Sequence, residues 1–141
     1  PRRKLLSSYQ LRNSANKVDN LSYVIKDNSK KVVGSIRFWN VKVDSHSSRG
    51  LLLGPLAIHP IYQSEGLGEK LVLNGIEKAH SDNWNWIVLV GDLDYYSKFG
   101  FSKNPTRGIS IRNSLDNSRL LGLDINDRFL EAAVGSLIEA S

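Results

Sequence analysis

Apolar residues along the chain follow two rhythms. Between residues 21 and 44 they alternate with polar ones. Leu21, Tyr23 and Ile25 stand against Ser22 and Lys26, the period of two that marks a half-buried strand. The turn-forming "DNSK" follows, then a second strand, "KVVGSIRFWNVKVD", ending at Asp44. Two such runs joined by a short polar turn predict an antiparallel hairpin. "LLLGPLAIHP" is apolar on both faces and interrupted by Gly54-Pro55, where Pro55 has no N–H to give a ladder. A bulged or splayed strand is expected there. From Gly66 the period lengthens: Leu67, Leu71, Val72, Gly75, Ile76 and Ala79 share one face, while Glu69, Lys70, Asn74, Glu77 and Lys78 take the other. That spacing predicts an amphipathic helix to about Ser81. "WIVLV" is apolar throughout, as in a parallel strand covered on both faces, so residues 51–90 predict strand, helix, strand with a right-handed crossover.

Beyond it, "LDYYSKFGF" predicts a short helix closed by Gly100, and "RGISIR" and "RLLGLDI" predict strands. Phe129, Leu130, Ala133, Val134, Leu137 and Ile138 in "DRFLEAAVGSLIEAS" form a helical stripe, so the chain is expected to end in a helix packed on the core. The opening "PRRKLLSSYQLRN" has a weakly helical pattern. The fold class is therefore α/β in the mixed sense: one sheet, mostly antiparallel, with a splayed parallel pair of strands and flanking helices.

With 141 residues and 40% hydrophobic content, the chain suits one compact domain spanning 1–141. No methionine is present, so a truncated N-terminus is expected. Nineteen basic residues against 14 acidic ones give a net charge of +5, a bias toward anionic ligands that does not choose among them. There is no cysteine, which removes disulfides and thiolate chemistry and makes a cytoplasmic location the simplest expectation. His46, His59 and His80 are scattered, and no metal is expected. The longest apolar runs fall far short of the ~20 residues a membrane span needs.

Candidate chemistry centres on "HPIYQSEGLGEK". Where a strand gives way to a helix, unpaired N–H groups and the positive end of the helix dipole converge, and an anion such as phosphate fits them. Gly66 and Gly68 keep side chains out of that approach, or else simply form a tight turn. A Walker loop would place Lys-Ser/Thr after the last glycine, but Glu69 and Lys70 stand there. A Rossmann fingerprint needs a glycine at Leu71 and a second half that the chain is too short to contain.

The pattern Q-x-x-G-x-G from Gln63 to Gly68, preceded by "LAIHP" and followed by "VGDLDYYSKFGF", resembles the acetyl-CoA-binding core of the GNAT superfamily of N-acetyltransferases. The likeness is tight over residues 51–101 and looser over 21–44. It implies that the diphosphate of acetyl-CoA lies on the backbone amides of Ser64, Glu65, Gly66, Leu67, Gly68 and Glu69, with Gln63 ordering the turn and Lys70 the nearest cation. The pantetheine arm would pair with Leu56, Ala57 and Ile58 as an added strand does. Two departures from the family stand out: Ser64 stands where many members have glycine, and Glu65 and Glu69 bring carboxylates toward a phosphate.

The resemblance also implies direct attack of a primary amine on the thioester, with Tyr96 as the general acid protonating the departing sulfur; Tyr95 is expected to be a core aromatic. No base is evident: "WIVLV" lacks the glutamate some members carry, Asp92 and Asp94 suit helix caps, with Asp94 expected to cap the tyrosine helix, and His59 sits at an exposed turn. Arg37, Trp39 and residues near Arg107 lie on the side where family acceptors bind, although Arg37 and Trp39 equally suit one exposed strand face. The expected partner is a small-molecule or peptide amine, acting on a monomer or homodimer, without membrane and without nucleic acid. An acyl-CoA-binding sensor with little turnover is the alternative.

Overall fold

The computed structural model describes residues 16–111 and 117–140. Its strands are β1 (Asn16–Lys17), β2 (Tyr23–Lys26), β3 (Val32–Val43), β4 (Gly50–Ile58), β5 (Trp86–Val90), β6 (Ile109–Ile111), β7 (Leu120–Asp124) and β8 (Gly135–Glu139). The helices are α1 (Leu67–Ser81), α2 (Leu93–Tyr96) and α3 (Phe129–Ala132). The sheet runs β6-β8-β3-β4-β5-β7, with β1 and β2 also paired to β3. All pairings are antiparallel except β4–β5 and β6–β8. The expected mixed α/β architecture with its parallel pair is present, as is the hairpin made by β2 and β3. The basic opening segment lies outside the described residues.

Strand alternation divides the core between the two faces of the sheet. Ile36, Phe38, Leu51, Leu53, Ile87, Leu89 and Leu121 pack with Leu71, Val72 and Ala79 of α1. On the opposite face Val41, Val43, Leu52, Trp86, Val88 and Leu120 pack with β6, β8 and α3 through Ile109, Ile111, Leu137 and Leu130. Helix α1 thus docks by the stripe its period predicted, with Leu73 of the outer face 53% exposed.

The C-terminal helix is a correction. Helical backbone stops at Ala132, Ala133 is extended, and Gly135–Glu139 forms β8. Val43, Lys42 and Val41 of β3 pair with Leu137, Ile138 and Glu139, and β6 pairs on the other side. Ser136 N–H reaches Asp44 Oδ1 at 3.2 Å. The stripe counted as helical is split: Leu130, Ala133 and Leu137 are buried, but Val134 is 70% exposed. Two flanking strands with open hydrogen-bonding edges outweigh a weak local preference for helix.

Candidate functional site

The parallel pair parts early. β4 and β5 are paired at Gly50–Trp86, Leu51–Ile87 and Leu52–Val88 only, whereas β4 continues along β3 to Ile58. On its β3 side β4 carries an irregularity: Phe38 pairs with Leu53 and Ile36 with Leu56, so Gly54 and Pro55 together face Arg37. This two-against-one bulge bends a strand. Leu56, Ala57 and Ile58 therefore have one edge held by β3 and the other turned toward the gap that β5 leaves.

The chain leaves β4 through a 3-10 turn, Pro60–Glu65, capped by His59, whose Nδ1 accepts from Ile61 N–H at 3.3 Å. His59 is thus the exposed turn residue that its place before Pro60 suggested. Gln63 Nε2 donates back to Ile58 O at 3.2 Å and ties the turn to the strand. Gly66 then takes the left-handed conformation, φ 76° and ψ 14°, which an L side chain adopts only at a cost. Helix α1 starts directly after it. Lys70 N–H is bonded to Gly66 O, so the N–H groups of Leu67, Gly68 and Glu69 precede the first intrahelical bond and have no partner within the helix.

Gly68 serves a different need. A Cβ there would meet Ile58 Cγ1 at an ordinary 3.7 Å but would lie 2.8 Å from Tyr95 Oη, so the bare backbone lets α2 close on the helix start. The result is a cavity of about 480 Å³ lined by Leu56, Ile58, Gln63, Ser64, Gly66, Gly68, Glu69, Tyr95 and Lys98. Amides without helical partners, a cradle that a methyl group would fill and a polar rim suit an anionic group such as a diphosphate.

Of the residues nominated from sequence, Leu56, Ile58, Gln63, Ser64, Gly66, Gly68 and Glu69 meet in this cavity. Ala57, Glu65 and Lys70 are exposed and Leu67 half-buried beside it. The cation on the cavity wall is Lys98, not Lys70. Its Nζ pairs with Glu69 Oε1 at 2.7 Å and sits 4.3 Å above the Tyr95 ring. Lys98 thus neutralises the carboxylate that looked hostile to a phosphate. Tyr95, expected as a core aromatic, lines the cavity, and burial raises its phenol, with Lys98 opposing and Glu69 adding. Glu69 and Lys98 are 29 residues apart, and only the approach of α2 to α1 joins them.

Tyr96 stands behind this wall. Its ring packs edge-on against Tyr95 at 4.9 Å and Phe101 at 5.9 Å. It also lies against the end of β5, where a Cβ on Gly91 would come within 2.8 Å of Tyr96 Cε2. Burial, reinforced by Tyr95, pushes the Tyr96 phenol up to about 12. Asp92, not Asp94, caps α2, accepting from Asp94 N–H at 3.1 Å. On the other face of the sheet, Trp39 and Arg37 are half-buried rather than exposed, and Trp39 packs against the Val41, Leu52 and Val88 cluster. Arg107 is exposed on the turn before β6.

Comparison with known proteins agrees with this geometry. The family model described as "Acetyltransferase (GNAT) domain" matches residues 19–103. The uncharacterized N-acetyltransferase YhbS of Escherichia coli is 31% identical over 81 residues, 57% of this chain and 48% of that protein. The uncharacterized N-acetyltransferase YjhQ of the same organism is 33% identical over 73 residues, 50% of this chain and 40% of that protein. The chain thus spans about half the length of the curated relatives it matches. Among solved structures, Escherichia coli YhbS in complex with CoA superimposes with a TM-score of 0.74 at 25% identity, over 83% of this chain and 65% of that one. A Brucella melitensis acetyltransferase in complex with acetyl-CoA gives 0.65 at 25% identity, over 85% and 66%.

Proposed function

The chain belongs to the GNAT acetyltransferase family, and from that premise we propose that it transfers the acetyl group of acetyl-CoA to a primary amine by direct attack on the thioester. The cavity of about 480 Å³ supports this reading, because amides without helical partners, the free edge of β4 and the aromatic turn after β5 meet around it. Relatives of similar fold were solved with CoA and with acetyl-CoA.

In this reading the diphosphate lies on the amides of Ser64 to Glu69, with Gln63 tying the turn and Lys98 supplying the positive charge. Lys70 takes a peripheral part. The arm extends along Leu56, Ala57 and Ile58, and an N–H of that segment polarises the thioester carbonyl. The amine's N–C bond forms, the C–S bond breaks, and the proton lost by the nitrogen ends on the sulfur. Tyr96 donates a hydrogen bond to that sulfur. Full proton transfer from a phenol near 12 to a thiolate whose own value is ~8.5 would be uphill by ~5 kcal/mol. Tyr96 therefore stabilises developing charge as the C–S bond stretches, and the ammonium proton completes the neutralisation.

A binding module with little turnover is the second reading, favoured by the Tyr96 ring facing Phe101 and Tyr95. Thiol release from acetyl-CoA, measured with a panel of amines and compared with CoA binding by calorimetry, separates the two. Release above the amine-free rate supports catalysis. Binding without release supports the sensor, and neither supports neither.

A further inference from the structure

Gly54 and Pro55 lie where both ladders of β4 lapse. Pairing with β5 ends at Leu52, and the bulge sets these two residues against Arg37 alone. A carbonyl left without a partner in such a place costs free energy, and its peptide plane can turn only about the Gly54 side, because the Pro55 ring fixes φ on the other. Here the Gly54 carbonyl has a partner: Trp39 Nε1 donates to it. Trp39 is the β3 residue opposite Leu52, and its side chain lies on the face away from α1, among Val41, Leu52 and Val88. From that anchorage the indole reaches along β4 and supplies a donor to the Gly54 carbonyl at the bulge.

Resting on the function proposed above, we propose that Trp39 is a positioning residue for acetyl transfer. Its indole N–H sets the orientation of the Gly54 peptide and hence the line of Leu56–Ile58, the strand edge that faces the gap. The thioester would lie at the narrow end of that gap, between β4 and the Tyr96 ring at Gly91. A change in peptide orientation at Gly54 moves every N–H beyond it, and a displacement of about 1 Å in a reacting group can cost ~100-fold in rate. The diphosphate turn at the far end of the segment is anchored apart from the bulge, by the His59 N–H bond to Val33 O and by the start of α1. The rotation should therefore damage turnover more than cofactor affinity.

Trp39→Phe keeps a ring in the packed site and removes the donor. With thermal stability checked in parallel, we expect kcat to fall ~10- to 100-fold, with less than about a threefold change in the dissociation constant for CoA. Hydrogen exchange gives a second readout that needs neither cofactor nor activity: amides of residues 56–58 should lose protection in the variant, while those of β5 and α1 do not. A Trp39→Phe protein with wild-type exchange at 56–58, or with kcat within twofold of wild type, overturns the proposal. A wild-type chain that binds no CoA overturns the proposed function instead, and the exchange pattern then decides alone whether Trp39 holds the Gly54 peptide.

Discussion

Alanine at Gly66 and at Gly68 separates two demands that the turn makes on its glycines. At Gly66 the demand is conformational: φ is 76° and nothing lies within 4 Å of an added Cβ. The left-handed backbone costs an L residue about 1–2 kcal/mol, and in a domain of this size 1 kcal/mol lowers the melting temperature by ~3 °C. At Gly68 the demand is for space. The position is inside the first turn of α1, where alanine exceeds glycine by about 1 kcal/mol in helix propensity. However, its Cβ would sit 2.8 Å from Tyr95 Oη, so the phenol must swing away from its edge-on pair with Tyr96, itself worth ~0.5–1.5 kcal/mol. The two effects nearly cancel in stability. They do not cancel in binding, because the methyl group and the displaced phenol both intrude on the anion's approach to the helix amides. Loss of one charge-assisted hydrogen bond, ~1.5–3 kcal/mol, weakens binding ~10- to 100-fold. Gly66→Ala is thus expected to melt lower and bind acetyl-CoA nearly as wild type, and Gly68→Ala to melt near wild type and bind far more weakly. Scanning calorimetry and titration calorimetry read the two quantities. If Gly68→Ala binds within threefold of wild type, the phosphate does not approach this turn and the reasoning fails.

Other consequences are quicker to state. Glu69→Gln should tighten acetyl-CoA binding ~5-fold and Lys98→Met weaken it by a similar factor, with melting temperatures little changed because the pair is half exposed; the opposite order of affinities would rule out Lys98 as the cation that meets the phosphate. Tyr96→Phe removes the hydrogen bond to the departing sulfur and should lower kcat ~100-fold without altering cofactor affinity. Burial holds that phenol up to about 12, so a rise in rate between about pH 6 and pH 10 should survive in Tyr96→Phe, since the amine titrates there; its disappearance would reassign the limb to Tyr96. Burial also raises the Asp124 carboxyl above its ordinary value, outweighing the amides of Leu130 and Glu131. Its charged form therefore detracts from stability at neutral pH, and the deficit fades as pH falls through the raised folded value and is gone below the unfolded one. Asp124→Asn retains an acceptor for Leu130 N–H and should melt slightly higher at pH 7, the gap closing in acid; a lower melting temperature at pH 7 contradicts this.

What could be read from the chain and what could not divide along a physical line. Helix α1 was legible because its stripe spans four turns and its start is marked by Gly66. The bulge was legible because Pro55 cannot donate. The β8 strand was not, since "FLEAAVGSLIEA" is short enough to satisfy either period and its state is decided by the open edges of β3 and β6, more than twenty residues away. At the site, the backbone cradle was legible from glycines, but the side chains that line it were not. Lys98 meets Glu69, and Tyr95 rather than Tyr96 faces the cavity, because of how α2 settles against α1. Trp39's bond to Gly54 depends on the bulge and on the face Trp39 takes, neither of which a spacing rule conveys.

A crystal structure of the chain grown with CoA tests the central claim most directly. The account predicts diphosphate oxygens at hydrogen-bond distance, ~3 Å, from N–H groups of residues 64–69, with Lys98 turned from Glu69 toward them and the arm beside Leu56–Ile58. Electron density for the diphosphate elsewhere on the surface, with the Glu69–Lys98 pair undisturbed, would contradict it.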